Sequence, residues 1–217
     1  MTLGFRVKSG WAAAVLITTA KKAPAVIDSR VIELADPSVA DSRQPYHAGF
    51  GTAQTDAAKV AHLVRGIERF SRRTITALID EYRATHKVRS AAVVVASLTD
   101  PVTIGNQHMR AHASEGRLFR TVLVDGLEHC GVRVRVVLER EVYDLLAKAL
   151  RRSPSLAKSQ VAALGEGVGR WRAEQKVAAA APGWSANCVS RRDSPPCSHA
   201  NPAVLLAGRR VRWESAP

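Results

Sequence analysis

The sequence predicts an α/β domain built on a mixed five-stranded sheet with helices on both faces. Three observations predict it. The first 34 residues read as strands alone, and from there strands alternate with helical stretches. The strand "AAVVVAS" at 91–97 is apolar throughout, as strands covered on both faces are.

Residues 2–7 alternate around Leu3, Phe5 and Val7, "KSG" is a turn ending on Gly10, and 11–18 is a buried strand. The same opening, "TLGFRVKSGWAAAVLITTA", has the basic start and short apolar core of a secretion signal. However, Lys21 and Lys22 stand where a cleavage site should be, so the hairpin is the better fit. A third strand, "AVIDSRVIEL", follows at 25–34 after Pro24. Residues 35–53 hold Pro37, Pro45, Gly49 and Gly51 without periodicity and form a long loop, the kind that often carries function.

Over 54–86, Val60, Leu63, Val64, Ile67, Ile75, Leu78, Ile79 and Tyr82 recur at helical spacing. Arg65, Arg69 and Arg73 line another face of that helix, which is ordinarily a solvated one. The strand 91–97 comes next, read as parallel to its neighbours, then a loop at 98–107 and a helix at 108–130 stopped by Gly131. "VRVRVVL" (132–138) is the fifth strand, with Arg133 and Arg135 on one face. Helices at 139–151 and 156–165 are split by Pro154, and a last one starts near Trp171 and breaks at Pro182–Gly183.

The domain is therefore placed at 1–182. Residues 183–217 are rich in Ser, Pro and Arg with no sustained period, and are expected to form a poorly ordered tail of a composition foreign to the domain, as an out-of-frame extension would give. Cys188, Cys197 and His199 in that tail are too few for the usual four-ligand structural zinc.

The chain of 217 residues is 46% hydrophobic and 24% charged, enough apolar chain for one packed domain and too little charge for a disordered polyampholyte. Its net charge is +13, of which +10 falls on residues 1–182. Such a field favours phosphate-rich partners or anionic surfaces. Three cysteines, Cys130, Cys188 and Cys197, do not make a disulfide framework and fit a reducing, cytoplasmic setting. Cys130 at a helix end reads as a packed core thiol. No apolar run approaches the roughly 20 residues of a membrane span. There is no G-x-S-x-G elbow, Walker loop or Rossmann fingerprint.

The element order and the opening "GFRVKSGWAAAV" resemble the ribonuclease H-like superfamily, in particular its Holliday-junction resolvase-like branch. There a similar strand-turn-strand carries a Thr-Gly-Trp or Thr-Gly-Tyr step, which Ser9-Gly10-Trp11 matches here. "HASEGRLFRTVLVDGLEHCGVRVRVV" is similar to the helix and fifth strand of the same group, and the resemblance spans about residues 2–181. It implies a bacterial nucleic-acid protein whose second strand runs antiparallel. Nucleases of the superfamily hold catalytic metal on an Asp of strand 1. In this chain Gly4, Arg6 and Lys8 stand there and the strand has no acid, so the resemblance implies a non-catalytic member that needs no cofactor.

In such a sheet strands 1, 3, 4 and 5 end on one edge, where ligands of open α/β sheets bind. That edge collects Lys8, Ser42, Arg43, Tyr46, His47, Asp100, Asn106, His108, Glu139 and Arg140. Lys8, Arg43, His47 and Arg140 are the expected contacts to nucleic acid or a ribonucleoprotein, in preference to the helix stripe. Glu115 falls on the apolar face of its helix, between Ala111 and Leu118, and must find a partner: His112, Arg43 or Arg140. His108, His112 and Glu115 share one helix face, but without an acid between the two His the sequence alone assigns no metal site there.

A metal-dependent nuclease is the competing reading. It would need Asp100, Glu139 and Glu174, with Glu115 assisting, to converge on Mg²⁺. A protein-interaction module with incidental charge is the third. An actin-like nucleotide site is disfavoured, because the chain has only one modest hairpin.

Overall fold

The structure is a computed structural model that describes residues 1–18, 24–49 and 51–184. Its sheet has the strand order β3-β2-β1-β4-β5. β1 (Thr2–Lys8), β2 (Trp11–Thr18) and β3 (Ala25–Glu33) form an antiparallel meander. β4 (Ser90–Val95) and β5 (Arg133–Leu138) extend it with parallel pairings, β4 on β1 and β5 on β4. Gly10 closes the first hairpin at φ +82°, and its carbonyl accepts from the Leu34 and Ala35 amides, which ties the start of the long loop to the turn.

The period of two along each strand sorts side chains into two cores. Leu3, Phe5 and Val7, with Ala12, Ala14, Leu16, Ala91, Val93 and Val95, face α1 (Ala57–Arg83) and α2 (Gln107–His129). Val15, Ile17, Ala92, Val94 and Val137 face α3 (Val142–Leu150), α4 (Pro154–Ala163) and α5 (Ala173–Ala180). Helices thus cover both faces, as the sequence predicts.

Helix starts follow capping chemistry. Asp56, Asn106 and Ser153 accept the backbone amides of Lys59, Met109 and Leu156. Pro154 separates α3 from α4 by occupying the first turn of α4, where its missing N–H costs nothing. Residues 139–141 form a 3-10 turn before α3.

Gly4 sets the height of α5 over the sheet. A Cβ at Gly4 would lie 1.8 Å from the Ala178 carbonyl oxygen. The Ala-rich α5 can therefore lie directly on β1, with Ala178, Ala179 and Ala180 buried. Gly183 and Trp184, placed by sequence in the tail, continue this layer. Trp184 is buried and donates its indole N–H to the Ala179 carbonyl at 2.8 Å. The rest of the expected tail, including Cys188, Cys197 and His199, lies outside the described residues. Among the described residues no helix is long and apolar enough to cross a membrane.

Candidate functional site

The carboxyl ends of β1, β3, β4 and β5 meet the loop 35–56 and the amino end of α2. Two polar assemblies occupy this edge, one on each face of the sheet.

The first is built around Arg6. Alternation puts Gly4, Arg6 and Lys8 on the α5 face of β1, opposite Leu3, Phe5 and Val7. Arg6 is 3% exposed. Its Nη2 donates to the Glu139 carboxylate just past the end of β5, and its Nη1 to the Val7 carbonyl at 2.6 Å. A guanidinium so placed neutralises the carboxylate at the sheet edge and repels any further cation.

The second is built around Glu115. It is fully buried, and its partner is His47, whose Nδ1 lies 2.6 Å from Oε1. An ionised carboxylate can only accept, so opposite it Nδ1 is the donor, and in the neutral imidazole with that tautomer Nε2 offers a lone pair. The loop aims His47 inward. His47 pairs with Ala53 in an isolated antiparallel bridge, its amide donates to the Gln44 carbonyl, and the Gln54 amide returns to the Tyr46 carbonyl. His108 and His112 stand one turn apart on α2. Their Nε2 atoms are 3.1 Å apart, and the His47 ring centroid is 5.2 Å from His108 and 4.5 Å from His112. Burial pushes the Glu115 carboxyl up, opposed by the hydrogen bond from His47. Burial, with His47 and His108 nearby, pushes His112 down.

His47 was expected to face nucleic acid. It is 5% exposed and turned onto Glu115. Glu115 is not served by the arginines named for it, because Arg43 pairs with Glu33 and Arg140 approaches Glu141. His112 Nδ1 is 3.9 Å from Glu115 Oε2. Arg140 is exposed, Arg43 is exposed beside Glu33, and Lys8 is half-buried at the end of β1.

Three of the four candidate carboxylates are engaged by different partners. Asp100 caps the 3-10 turn 101–103 and meets Arg117 at 3.3 Å, Glu115 holds His47, and Glu139 holds Arg6. Glu174 lies in the first turn of α5. Among the described residues, the side chains of metal-ligating type that converge in a group of three are His47, His108 and His112.

The sequence shows that Glu115 needs a partner but not that the partner lies 68 residues upstream. It also presents the α1 stripe as a plain solvated face. In the structure Arg69 and Arg73, with His62 and Phe70, line a cavity of about 320 Å³ closed by Asp36, Val39 and Ser42. A second cavity, about 470 Å³ and lined by Ser9, Asp41 and Arg43, shares Val39 and Ser42 with it. Together they make a groove from the β1–β2 turn to α1. Arg135, on one face of β5, donates to the Ala181 carbonyl at 2.9 Å and closes the end of α5.

No protein-family model and no curated protein sequence matches the chain. Among solved structures, RuvC of T. thermophilus in complex with Holliday junction substrate is similar, with 10% identity over 84% of this chain and 90% of that one and a TM-score of 0.52. A second Thermus thermophilus RuvC structure has 10% identity, the same 84% of this chain, 91% of its own, and a TM-score of 0.48. An Aquifex aeolicus member of the Ppx/GppA family covers 68% of this chain and 39% of its own at 14% identity and a TM-score of 0.32. At such identities the likeness is one of fold: the chain carries the mixed five-stranded sheet of the ribonuclease H-like arrangement.

Proposed function

We propose that this chain binds nucleic acid through its phosphate backbone and does not cut it. The observation that carries the reading is Arg6. A buried guanidinium on the central strand is paired with the carboxylate at the end of β5, and β1 itself contributes no acid. A site arranged this way holds its own cation and has no need of Mg²⁺. RuvC, of similar fold, is seen with Holliday junction substrate. The net charge of +13 supports a polyanionic partner, DNA, RNA or a ribonucleoprotein.

The groove between the β1–β2 turn and α1 gives that partner a track. Arg43, Arg69 and Arg73 border it, and Arg65 continues the row along α1. Among the described residues Arg65 and Arg69 make no ion pair, which leaves both guanidinium groups available to phosphates. Lys8 and Arg140 extend the surface along the sheet edge.

The test is binding of labelled four-way junction, duplex DNA and RNA across a salt series, with Mg²⁺ or Mn²⁺ present and cleavage followed in parallel. The expected result is affinity that falls steeply with salt, since each neutralised phosphate releases counterions, and no cleavage. Arg69→Glu with Arg73→Glu should cost at least about tenfold in affinity, and Arg43→Glu with Arg140→Glu a similar factor. Absence of binding at low salt, or binding insensitive to salt and to both variants, would leave the protein-interaction reading. Metal-dependent cleavage abolished by Asp100→Asn or Glu139→Gln would establish the nuclease reading instead.

A further inference from the structure

We propose that His47, His108 and His112 form a binding site for a divalent transition ion of the zinc class, with Glu115 as the carboxylate that orients it. The inference does not depend on the nucleic-acid reading. One nitrogen from each of the three imidazoles falls within 4.8 Å of the others. Zinc–nitrogen bonds of 2.0–2.1 Å in a tetrahedron put neighbouring nitrogens about 3.3 Å apart. His108 Nε2 and His112 Nε2 already stand at 3.1 Å, hydrogen-bonded to each other, and an ion would displace the proton they share. Closing the widest allowed spacing from 4.8 Å to the tetrahedral value takes a combined side-chain shift of about 1.5 Å.

Two buried atoms point to a ligand independently of that spacing. His47 is 5% exposed, and its Nε2 is buried without a hydrogen-bond partner among the described residues. Its Nδ1–H is committed to Glu115 Oε1 at 2.6 Å. A metal-bound histidine is oriented this way: one nitrogen donates to a carboxylate and the other offers its lone pair to the ion. Glu115 Oε2 is likewise buried without a hydrogen bond, 3.9 Å from His112 Nδ1. One carboxylate is thus placed to steady two of the three ligands. A plain His–Glu pair needs only His47 and Glu115; it gives no reason for two further imidazoles to gather within 5.2 Å of the His47 ring. A dication among them supplies the charge that a fully buried carboxylate otherwise lacks.

The donor set selects the ion. Three imidazoles suit zinc, cobalt, nickel or copper, whereas Mg²⁺ and Ca²⁺ take oxygen ligands. His112 is exposed and His108 half-buried, so the ion is reached from solvent and three protein ligands leave a fourth position for water.

The test uses the full chain, stripped with chelator and titrated with Co²⁺ and then Zn²⁺. One equivalent of Co²⁺ should bind with the visible absorption of a tetrahedral nitrogen site and no thiolate charge-transfer band. Zn²⁺ should displace it and raise the melting temperature, and excess Mg²⁺ should do neither. His112→Ala, at an exposed position, and His108→Ala should keep the far-UV circular dichroism and lose at least about a hundredfold in affinity, and Glu115→Gln should lose 10–100-fold. Cys188→Ser with Cys197→Ser should bind as the wild type does. No stoichiometric binding, binding untouched by His112→Ala and His108→Ala, or binding removed by the cysteine pair would overturn the proposal.

Discussion

Replacing Gly4 with Ala tests the seating of α5 on the central strand. The added Cβ would lie 1.8 Å from the Ala178 oxygen and 2.7 Å from its carbonyl carbon, both backbone atoms that cannot rotate away. An ordinary carbon–oxygen contact is about 3.2 Å or more, so α5 must lift by over about 1 Å and loosen its packing on Val15, Ile17 and Val94. Overpacking of this kind costs about 1–3 kcal/mol, and with backbone as the obstacle the upper end applies. In a domain of this size about 3 kcal/mol lowers the melting temperature by roughly 6–12 °C. Gly66, inside α1, is the internal control, because a Cβ there meets nothing within 4 Å. The same substitution at Gly66 should stabilise by up to about 1 kcal/mol, through helix propensity and a stiffer unfolded chain. Thermal unfolding followed by circular dichroism measures both. A Gly4→Ala protein melting within about 2 °C of wild type would refute the close seating of α5.

Three further outcomes are expected. Arg6→Met should cost about 2–3 kcal/mol, below the full penalty for breaking a buried pair because Glu139 is 42% exposed, and Arg6→Met with Glu139→Gln should recover part of it; a double-mutant cycle in urea checks this. Trp184→Ala removes a buried indole and its hydrogen bond to Ala179 and should lower stability by about 3 kcal/mol; an unchanged urea midpoint would detach Trp184 from the domain. Burial and the hydrogen bond to Asp28 push the Tyr82 hydroxyl well above its ordinary 10.0, so its contribution is complete below pH 10 and is lost as pH rises through the folded value. Tyr82→Phe should therefore be less stable near neutral pH and show a shallower decline above pH 10, read from urea midpoints across that range.

Much of the fold was legible because its signals are local. Alternation at Leu3, Phe5 and Val7, the apolar run at 91–95 and the helical spacing from Leu63 to Tyr82 each report burial within a few residues. The site was legible by halves. Glu115 on an apolar helix face announced a buried carboxylate, and Arg6 announced a cation on an inner strand. Their partners were not readable, because His47 sits in a loop without periodicity and Glu139 at the far end of the sheet. A residue's need for a partner is written in its own neighbourhood, whereas the partner's identity is a property of the closed fold. The α1 arginines show the converse. Their spacing was plain, but the cavity beside Arg69 and Arg73 exists only once residues 36–42 fold back over the helix.

The strand order has a kinetic consequence. The β1–β2–β3 meander joins neighbours in sequence and can zip from the Gly10 turn outwards, whereas β1 finds β4 only after all of α1 has been spanned. Loop closure is the slow part of such folds. The rate-limiting event is thus expected to be the docking of β4 on a preformed meander. Truncating Val93 to Ala should slow refolding, whereas changes at the outer edge of β3, such as Val31→Ala, should act mainly on unfolding.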